Sequence, residues 1–422
     1  MKYEKEYLNI LNEELKKAMG CTEPIAISYL SCTARDLLGG IPSKVNIYVS
    51  GNILKNVKSV VVPNTHGMRG IKTAVGIGII GGISELKLEC LSKVTSSQVE
   101  KTKEYLENTE INIAKSDSPY QFDIIIELYL GDDVVEARMV DNHTNIVYLR
   151  KNDNILVNKD LTDSVTFTSL TDHSVLSVEE IYNFANEIEL DKVKDLIETQ
   201  IKCNMEIAET GLKHNYGANI GSTILKENPN CTKTKAKAYA AAASDARMNG
   251  CDLPVVINSG SGNQGITCSI PVIIYADAYN VGYERKIRAL VLSNLLTTHV
   301  KTGIGRLSAY CGVVAAGCTA GAAISYLLGG DLRAISHSLV NSLAILSGVI
   351  CDGAKASCAA KIASSVDAGI LGCELFLNGN QFYSGDGIVT KGVENTIRNV
   401  GIVASQGMLE TDKEIINLML KN

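Results

Sequence analysis

Tryptophan is absent from the chain, and all aromatic residues together make up only 5%. The stacking platforms on which nucleic-acid bases rest are therefore missing. No basic block occurs either, and the formal charge is −6, so a nucleic-acid partner is not expected. An apolar leader is lacking too. The start, MKYEKEYLNILNEELKKAMG, is charged and amphipathic, with neither an h-region nor a cleavage site, and a cytoplasmic protein is expected. Neither a P-loop nor an H-E-x-x-H pattern is present. Long apolar runs are scarce. Residues 311–330 carry no charge, but they are built largely from Gly, Ala, Cys, Ser and Thr, whose drive into a bilayer is weak. A second Ala/Gly run, 334–367, is interrupted by Asp352, Lys355 and Lys361. Both read as tightly packed helical core, and no membrane partner is expected.

What the chain has is 45% hydrophobic against 20% charged residues over a length of 422, enough for a sizeable core and two or three domains. It also has 12 cysteines. Without a secretion signal these do not make a disulfide scaffold. They point to metal, cluster or catalysis, although free Cys is also a common small core residue.

The pattern predicts an α+β protein: a large all-helical catalytic domain with an inserted α+β module containing an antiparallel meander. Residues 1–42 read as two N-terminal helices that pack on the helical domain. The first carries the stripe Leu8, Leu11, Leu15, Met19; the second is capped at Thr22 and stops at Gly39-Gly40. Residues 43–175 read as the α+β module, with strands near 45–49, 59–62, 86–91, 122–130, 134–140 and 145–150, a further one at 165–169, and helices at 71–83 and 96–108. Residues 176–422 read as the helical domain, with helices near 178–187, 190–210, 236–249, 284–300, 306–328, 331–348, 354–370 and 390–420. The stretch 255–271 reads as irregular.

Several constellations could carry chemistry. Cys311 and Cys318 share an i, i+7 spacing with Cys351 and Cys358, in segments that look like a weak internal repeat. On a continuous helix that spacing separates two side chains by roughly 10.5 Å at about 1.5 Å per residue. This is long for one ion and more tolerable for a polynuclear cluster; zinc favours closer pairs. Ligation and packing both remain open for these four. Cys21 precedes a helix start, where the dipole favours a thiolate, or it is a small buried residue. The run Ser259-Gly260-Ser261-Gly262-Asn263-Gln264-Gly265 reads as a loop whose N–H groups can cradle a carboxylate, with Asn258 joining it. Asp352 and Lys355 either pair with each other, three apart on one helix, or hold substrate. Lys301 reads as a solvated helix end. Histidines 143, 173, 214, 299 and 337 share no ligand spacing.

The segments MGCTEPIAISY, VPNTHGMRG, SGSGNQGITCSIPV, GRLSAYCGVVAAGCTAG and GVICDGAKASCAAKIASS together give the chain a family likeness. It resembles the L-cysteine desulfidases, which share an α-chain domain with bacterial iron–sulfur L-serine dehydratases. It departs from them at His66, where many members carry Gly, and no role is carried over to that residue. The resemblance implies a [4Fe–4S] cluster held by Cys311, Cys351 and Cys358 with one iron open, and it leaves Cys318 as a packing residue. It also implies Cys21 as the base.

On this reading the chain eliminates the β-substituent of L-cysteine to give pyruvate, ammonia and sulfide. Cys21 is catalytic. Asn258, Ser259, Ser261, Gly262, Asn263, Gln264, Asp352 and Lys355 are candidates for binding substrate. L-Serine dehydration by the same cluster is the nearest alternative. A pyridoxal-phosphate lyase with Lys355 as Schiff base and a non-enzymatic iron–sulfur sensor are more distant ones. The partner expected is a small amino-acid substrate, with a homodimer left open.

Overall fold

Leu8, Leu11 and Leu15 lie on one face of a helical wheel, and the helix they specify, α1 (Glu4–Glu14), buries Tyr7, Ile10 and Leu11. It ends earlier than the stripe predicts. Leu15 is already extended, and Met19 belongs to strand β1 (Lys17–Met19), which pairs antiparallel with the distant Pro254–Val256. The computed structural model describes residues 2–159, 171–305 and 308–421. Within them the fold is α+β, with a mainly antiparallel sheet attached to a large body of helices.

The sheet side comprises α2 (Thr22–Leu38), β2 (Lys44–Val49), α3 (Gly51–Val57), α4 (Gly70–Gly81), α5 (Ser96–Asn108), β3 (Glu110–Lys115), β4 (Asp123–Leu130), β5 (Asp133–Val140), β6 (Ile146–Lys151) and β7 (Asn154–Asn158). The strand order is β3-β2-β4-β5-β6-β7. Only β2 and β3 run parallel, and the chain between them provides the long crossover that a parallel pair needs. Val45, Ile47 and Val49 alternate inward from β2 as their spacing predicts. Together with Ile124, Ile126 and Leu128 of β4 they meet Ile25, Ile27 and Leu30 of α2 in one buried cluster.

Three expectations for this side differ from the structure. Residues 59–62 form only an isolated bridge, Val61 to Arg69. Residues 84–89 form a 3-10 segment with Lys87 at φ 50°; Leu86 and Leu88 alternate, but the backbone bonds back on itself, from Ile83 N to Cys90 O. Strands β3 and β7 went unpredicted because their side chains are mostly exposed, with little apolar alternation to read. The strand expected at 165–169 lies outside the described residues.

The helical side comprises α6 (Val178–Glu187), α7 (Lys194–Lys213), α8 (Ile220–Leu225), α9 (Thr232–Met248), β8 (Pro254–Val256), α10 (Gly262–Ala278), α11 (Tyr283–Ile304), α12 (Val313–Leu327), α13 (Leu332–Ile345), α14 (Cys358–Leu377), α15 (Val393–Ile402) and α16 (Leu409–Lys421). The stretch expected to be irregular is largely α10, which contains Pro271. Its Gly- and Ser-rich first turn looks like loop, yet every residue from Gly262 to Ile273 is buried and the packing overrides propensity. Helix α1 joins this second core. Helix α2, by contrast, packs on the sheet. Residues 1–42 are thus shared between the two cores, with α1 on the helical side and α2 on the sheet, rather than packing together on the helical domain as expected. The uncharged run 311–330 contains α12, buried on every face, and among the described residues no helix is long and apolar enough to cross a membrane.

Helices α12 and α14 cross backbone to backbone. A Cβ on Gly321 would stand 2.0 Å from the Gly369 carbonyl oxygen, and one on Gly369 would stand 2.0 Å from that of Gly317. No side chain fits there, so the small-residue composition is what sets the helix separation. Gly369→Ala is expected to force the pair apart and cost about 3 kcal/mol. Urea unfolding should show this as a lower midpoint; an unchanged midpoint would mean the crossing is looser than described.

Candidate active site

The close crossing brings together the chain segments that lead into α12 and α14. Tyr310 and Ile350 form an isolated antiparallel bridge. The Cys311 N–H donates to Val349 O at 2.8 Å and the Cys351 N–H to Ala309 O at 2.6 Å. Residues flanking a bridge pair point to the face opposite that pair, so Cys311 and Cys351 project to the same side. Cys358 opens α14, its Sγ 3.8 Å from Gly353 O. Gly353, at φ 94°, sits where a Cβ would meet Lys55 O at 2.3 Å. That contact presses the turn against α3.

All three thiols line one cavity at the seam between the two cores, and Cys21 lines it too. Cys21 is the N-cap residue of α2, one position earlier than the Thr22 cap expected. The preceding Gly20, at φ 54°, has its Cβ position filled by Pro63. The Cys21 Sγ rests 3.7 Å from Met248 Sδ. Cys318 is fully buried inside α12 and does not reach the cavity. The i, i+7 spacing therefore does not describe one helical face. In each pair the first cysteine precedes a helix, which turns the second Cys of the repeat either inward (Cys318) or toward the cavity (Cys358).

The thiols are not equivalent. The hydrogen bond shared with Cys311 holds the Cys351 thiol below its usual range against the cost of burial, helped by Lys55 and the Gly353 N–H. The same contact, together with burial, pushes Cys311 up. Burial raises Cys358. Burial also pushes Cys21 up to about 12, with the Arg247 charge pulling the other way. The thiolate expected from the helix dipole is thus outweighed by desolvation.

The first turn of α10 forms another part of the wall. Asn258 and Ser261 close a tight turn through reciprocal backbone bonds, with Ser259 at φ 49° and Gly260 at φ 77°. Thr22 Oγ1 donates to Gly260 O at 3.1 Å, tying this turn to the start of α2. Ser261, Asn263 and Gln264 line the cavity. Asn258 and Ser259 do not. Asn258 is fully buried and donates to Asn294 Oδ1 at 3.1 Å, while the Ser259 hydroxyl donates to Asn258 Oδ1 at 2.8 Å. Gly262 contributes space rather than contact. Asp352 and Lys355 also stay off the cavity wall. Asp352 pairs with Lys355 and, at 2.5 Å, with Lys361. Burial works against the Asp352 carboxylate, but the two ammonium groups outweigh it and bring the group down to about 2. Lys301, expected in solvent, is only 5% exposed and lines the cavity. His66 is exposed in a left-handed turn away from it.

Sequence reasoning missed Lys55, Asn56 and Arg247, all on the cavity wall. Arg247 had a readable signal. It interrupts the Ala-rich end of α9, which is buried on all sides, and a charge in such a helix is costly without a purpose. Lys55 and Asn56 lie in a short helix of unremarkable composition.

The donor set suits an iron–sulfur cluster, for which thiolates are the usual ligands. Among the described residues no three His, Cys, Asp or Glu side chains stand close enough to hold a single metal ion. A polynuclear cluster carries its thiolates further apart than one ion does, and Lys55 and Lys361 lie near enough to act on the thiols electrostatically. Residues 85–417 match the family model of the serine dehydratase alpha chain. The chain belongs to that family. It is also 54% identical to a UPF0597 protein of Desulfitobacterium hafniense, over 99% of this chain and 97% of that one. Identity is 46% to a UPF0597 protein of Treponema denticola (100% and 99%) and 45% to one of Finegoldia magna (99% and 100%). The family match spans α5 through α16 and so contains the three cavity cysteines of the helical side; Cys21 lies before it.

Lys55 is buried and meets Asp412 of α16 at 2.5 Å. Lys58 also donates to Met419 O. Asp412→Ala would leave the Lys55 ammonium buried without its counter-ion, at a cost of about 3 kcal/mol. The double variant Lys55→Met/Asp412→Leu should recover most of that loss. Urea melts of the three proteins check this, and equal losses in the single and double variants would contradict it.

Proposed function

We propose that this chain is an iron–sulfur lyase that eliminates the β-substituent of a small amino acid, L-cysteine for preference. The observation that supports it is the meeting of four thiols, from three distant parts of the chain, on a single cavity. Cys311, Cys351 and Cys358 would hold a [4Fe–4S] cluster, with Cys21 on the same cavity. When bound, such a cluster with one open iron supplies Lewis-acid assistance to the departing β-sulfur.

The chain's own residues do the rest. Cys21 Sγ, as thiolate, takes the α-proton while the Cβ–S bond breaks. Sulfide and aminoacrylate result, and the latter tautomerises and hydrolyses to pyruvate and ammonia. Ser261, Asn263 and Gln264, on the first turn of α10, orient the substrate beside that proton acceptor. The bond from Thr22 to Gly260 keeps this turn in register with Cys21. A cytoplasmic setting, where thiols stay reduced, goes with this chemistry.

L-Serine is the second reading, supported by the serine dehydratase description of the matching family; water then leaves in place of sulfide. The pyridoxal-phosphate reading loses its lysine, since Lys355 is committed to Asp352 and stands off the cavity.

Anaerobically purified protein should contain iron and acid-labile sulfide and release sulfide from L-cysteine faster than it forms pyruvate from L-serine. The reverse ranking would assign it to serine. Cys21→Ala should retain the visible absorption of the cluster and lose turnover by at least about a hundredfold, whereas Cys358→Ser should lose iron. Full turnover in Cys21→Ala would remove that residue from the mechanism, and iron-free protein with full turnover would end the cluster reading.

A further inference from the structure

Arg247 is 4% exposed, in a stretch of α9 where every residue from Ala240 to Met248 is buried. Arg247 lines the thiol cavity. Nη1 donates to Asn263 Oδ1 at 3.1 Å. Its Nε reaches no acceptor, and among the described residues no carboxylate pairs with it. Arginine does not lose its proton in proteins, so this is a permanent buried positive charge that, among the described residues, donates to a neutral amide. Lys55, on the same wall, has Asp412, and the Glu23 carboxylate of that wall accepts from Asn56; among the described residues Arg247 has no such counter-ion.

Two glycines preserve this arrangement. A Cβ on Gly262 would lie 2.3 Å from Arg247 Nε, and one on Gly312 would lie 2.7 Å from the Gln264 side-chain amide carbon. Gln264 is also buried on the cavity, and its Oε1 accepts no hydrogen bond. The cavity thus offers a guanidinium in need of an anion and an amide oxygen in need of a donor.

We propose that Arg247 is the carboxylate anchor of this cavity and that its ligand is a small α-amino acid, with the carboxylate on the guanidinium and the ammonium on Gln264 Oε1. A carboxylate matches the planar fork of Arg. A phosphate or sulfate would place further negative charge against the Gln264 oxygen and the three thiols. The carboxylate assignment stands on the buried guanidinium alone; naming the ligand a β-substituted amino acid rests on the elimination reading above.

The test uses full-length protein prepared anaerobically, with binding read by calorimetry and thermal shift and turnover read separately. The probes are L-cysteine, L-serine and L-serinamide, which lacks the carboxylate. Wild type should bind the two amino acids and not the amide. Arg247→Lys, which keeps the charge and loses the fork, should weaken binding at least about tenfold, and Arg247→Gln should abolish it, with circular dichroism and cluster absorption retained. Should Arg247→Gln fail to fold, Arg247→Lys carries the comparison. The proposal is overturned if either folded variant binds L-serine and L-cysteine as wild type does, if L-serinamide binds equally well, or if wild type binds none of the three. Arg247-dependent binding without sulfide or pyruvate would sink the elimination reading and leave the anchor standing. Turnover with an unchanged KM in Arg247→Gln would do the opposite.

Discussion

The contact between Gly317, Gly321 and Gly369 is the constraint on which the site depends. Two helices whose carbonyls touch each other's Cα positions cannot slide or separate without losing most of their burial. Their N-terminal approaches, 309–311 and 349–358, are therefore held at fixed separation, and the short Tyr310–Ile350 bridge sets the direction in which Cys311 and Cys351 project. Thiols placed by backbone pairing and by a helix start are positioned by rigid elements rather than by flexible loop. That is the condition under which a set of ligands can be pre-organised for a bulky inorganic group.

The second constraint is electrostatic. Burial raises the Cys21 and Cys358 thiols, the contact with Cys351 together with burial raises Cys311, and Cys351 is the exception because Cys311, Lys55 and the Gly353 amide all favour its anion. Around these sulfurs the chain gathers positive charge in Lys55, Arg247, Lys301 and Lys361. Asp412 balances Lys55 and Asp352 balances Lys361, and Glu23 adds a carboxylate to the cavity wall, where it accepts from Asn56. An interior built in this way is poised for negative guests, and both a thiolate-ligated cluster and a substrate carboxylate answer to that description.

Much of this was readable in the residues, though unevenly. The α+β class and the meander followed from alternation in β2, β4, β5 and β6, where one face is buried. The exposed strands β3 and β7 carry no such signal. The Gly-Ser run at 259–265 advertised flexibility, but its second half is the first turn of a buried helix, because tertiary packing outweighs the poor propensity of two glycines. For the site, cysteine spacing alone could not separate Cys318 from the other three. That distinction depends on where each helix begins, and boundaries are the least legible feature of a sequence. Asp352 and Lys355 attracted attention as charges in an apolar run, and they turn out to neutralise each other and Lys361. Arg247 met the same criterion, a charge in a buried helix, and among the described residues no carboxylate pairs with it. What separates the two cases is the partner, which the fold supplies and sequence spacing does not show.

The position of Cys21 between these influences bears on how it can act. Burial makes its thiolate scarce, and a carboxylate seated on Arg247 would cancel the charge that favours ionisation. Scarcity and strength go together, however. A thiolate formed against a pKa near 12 is a far better proton acceptor than one with an ordinary thiol pKa, and α-protons of amino acids demand a strong base. Met248, which belongs to the sheet-side cluster although it comes from α9, lies against this sulfur. Its thioether excludes water and offers no proton. The apolar side of the cavity therefore has a chemical role as well as a packing one. On the proposed mechanism it would keep the base strong, while the cationic side would hold the substrate in line with it.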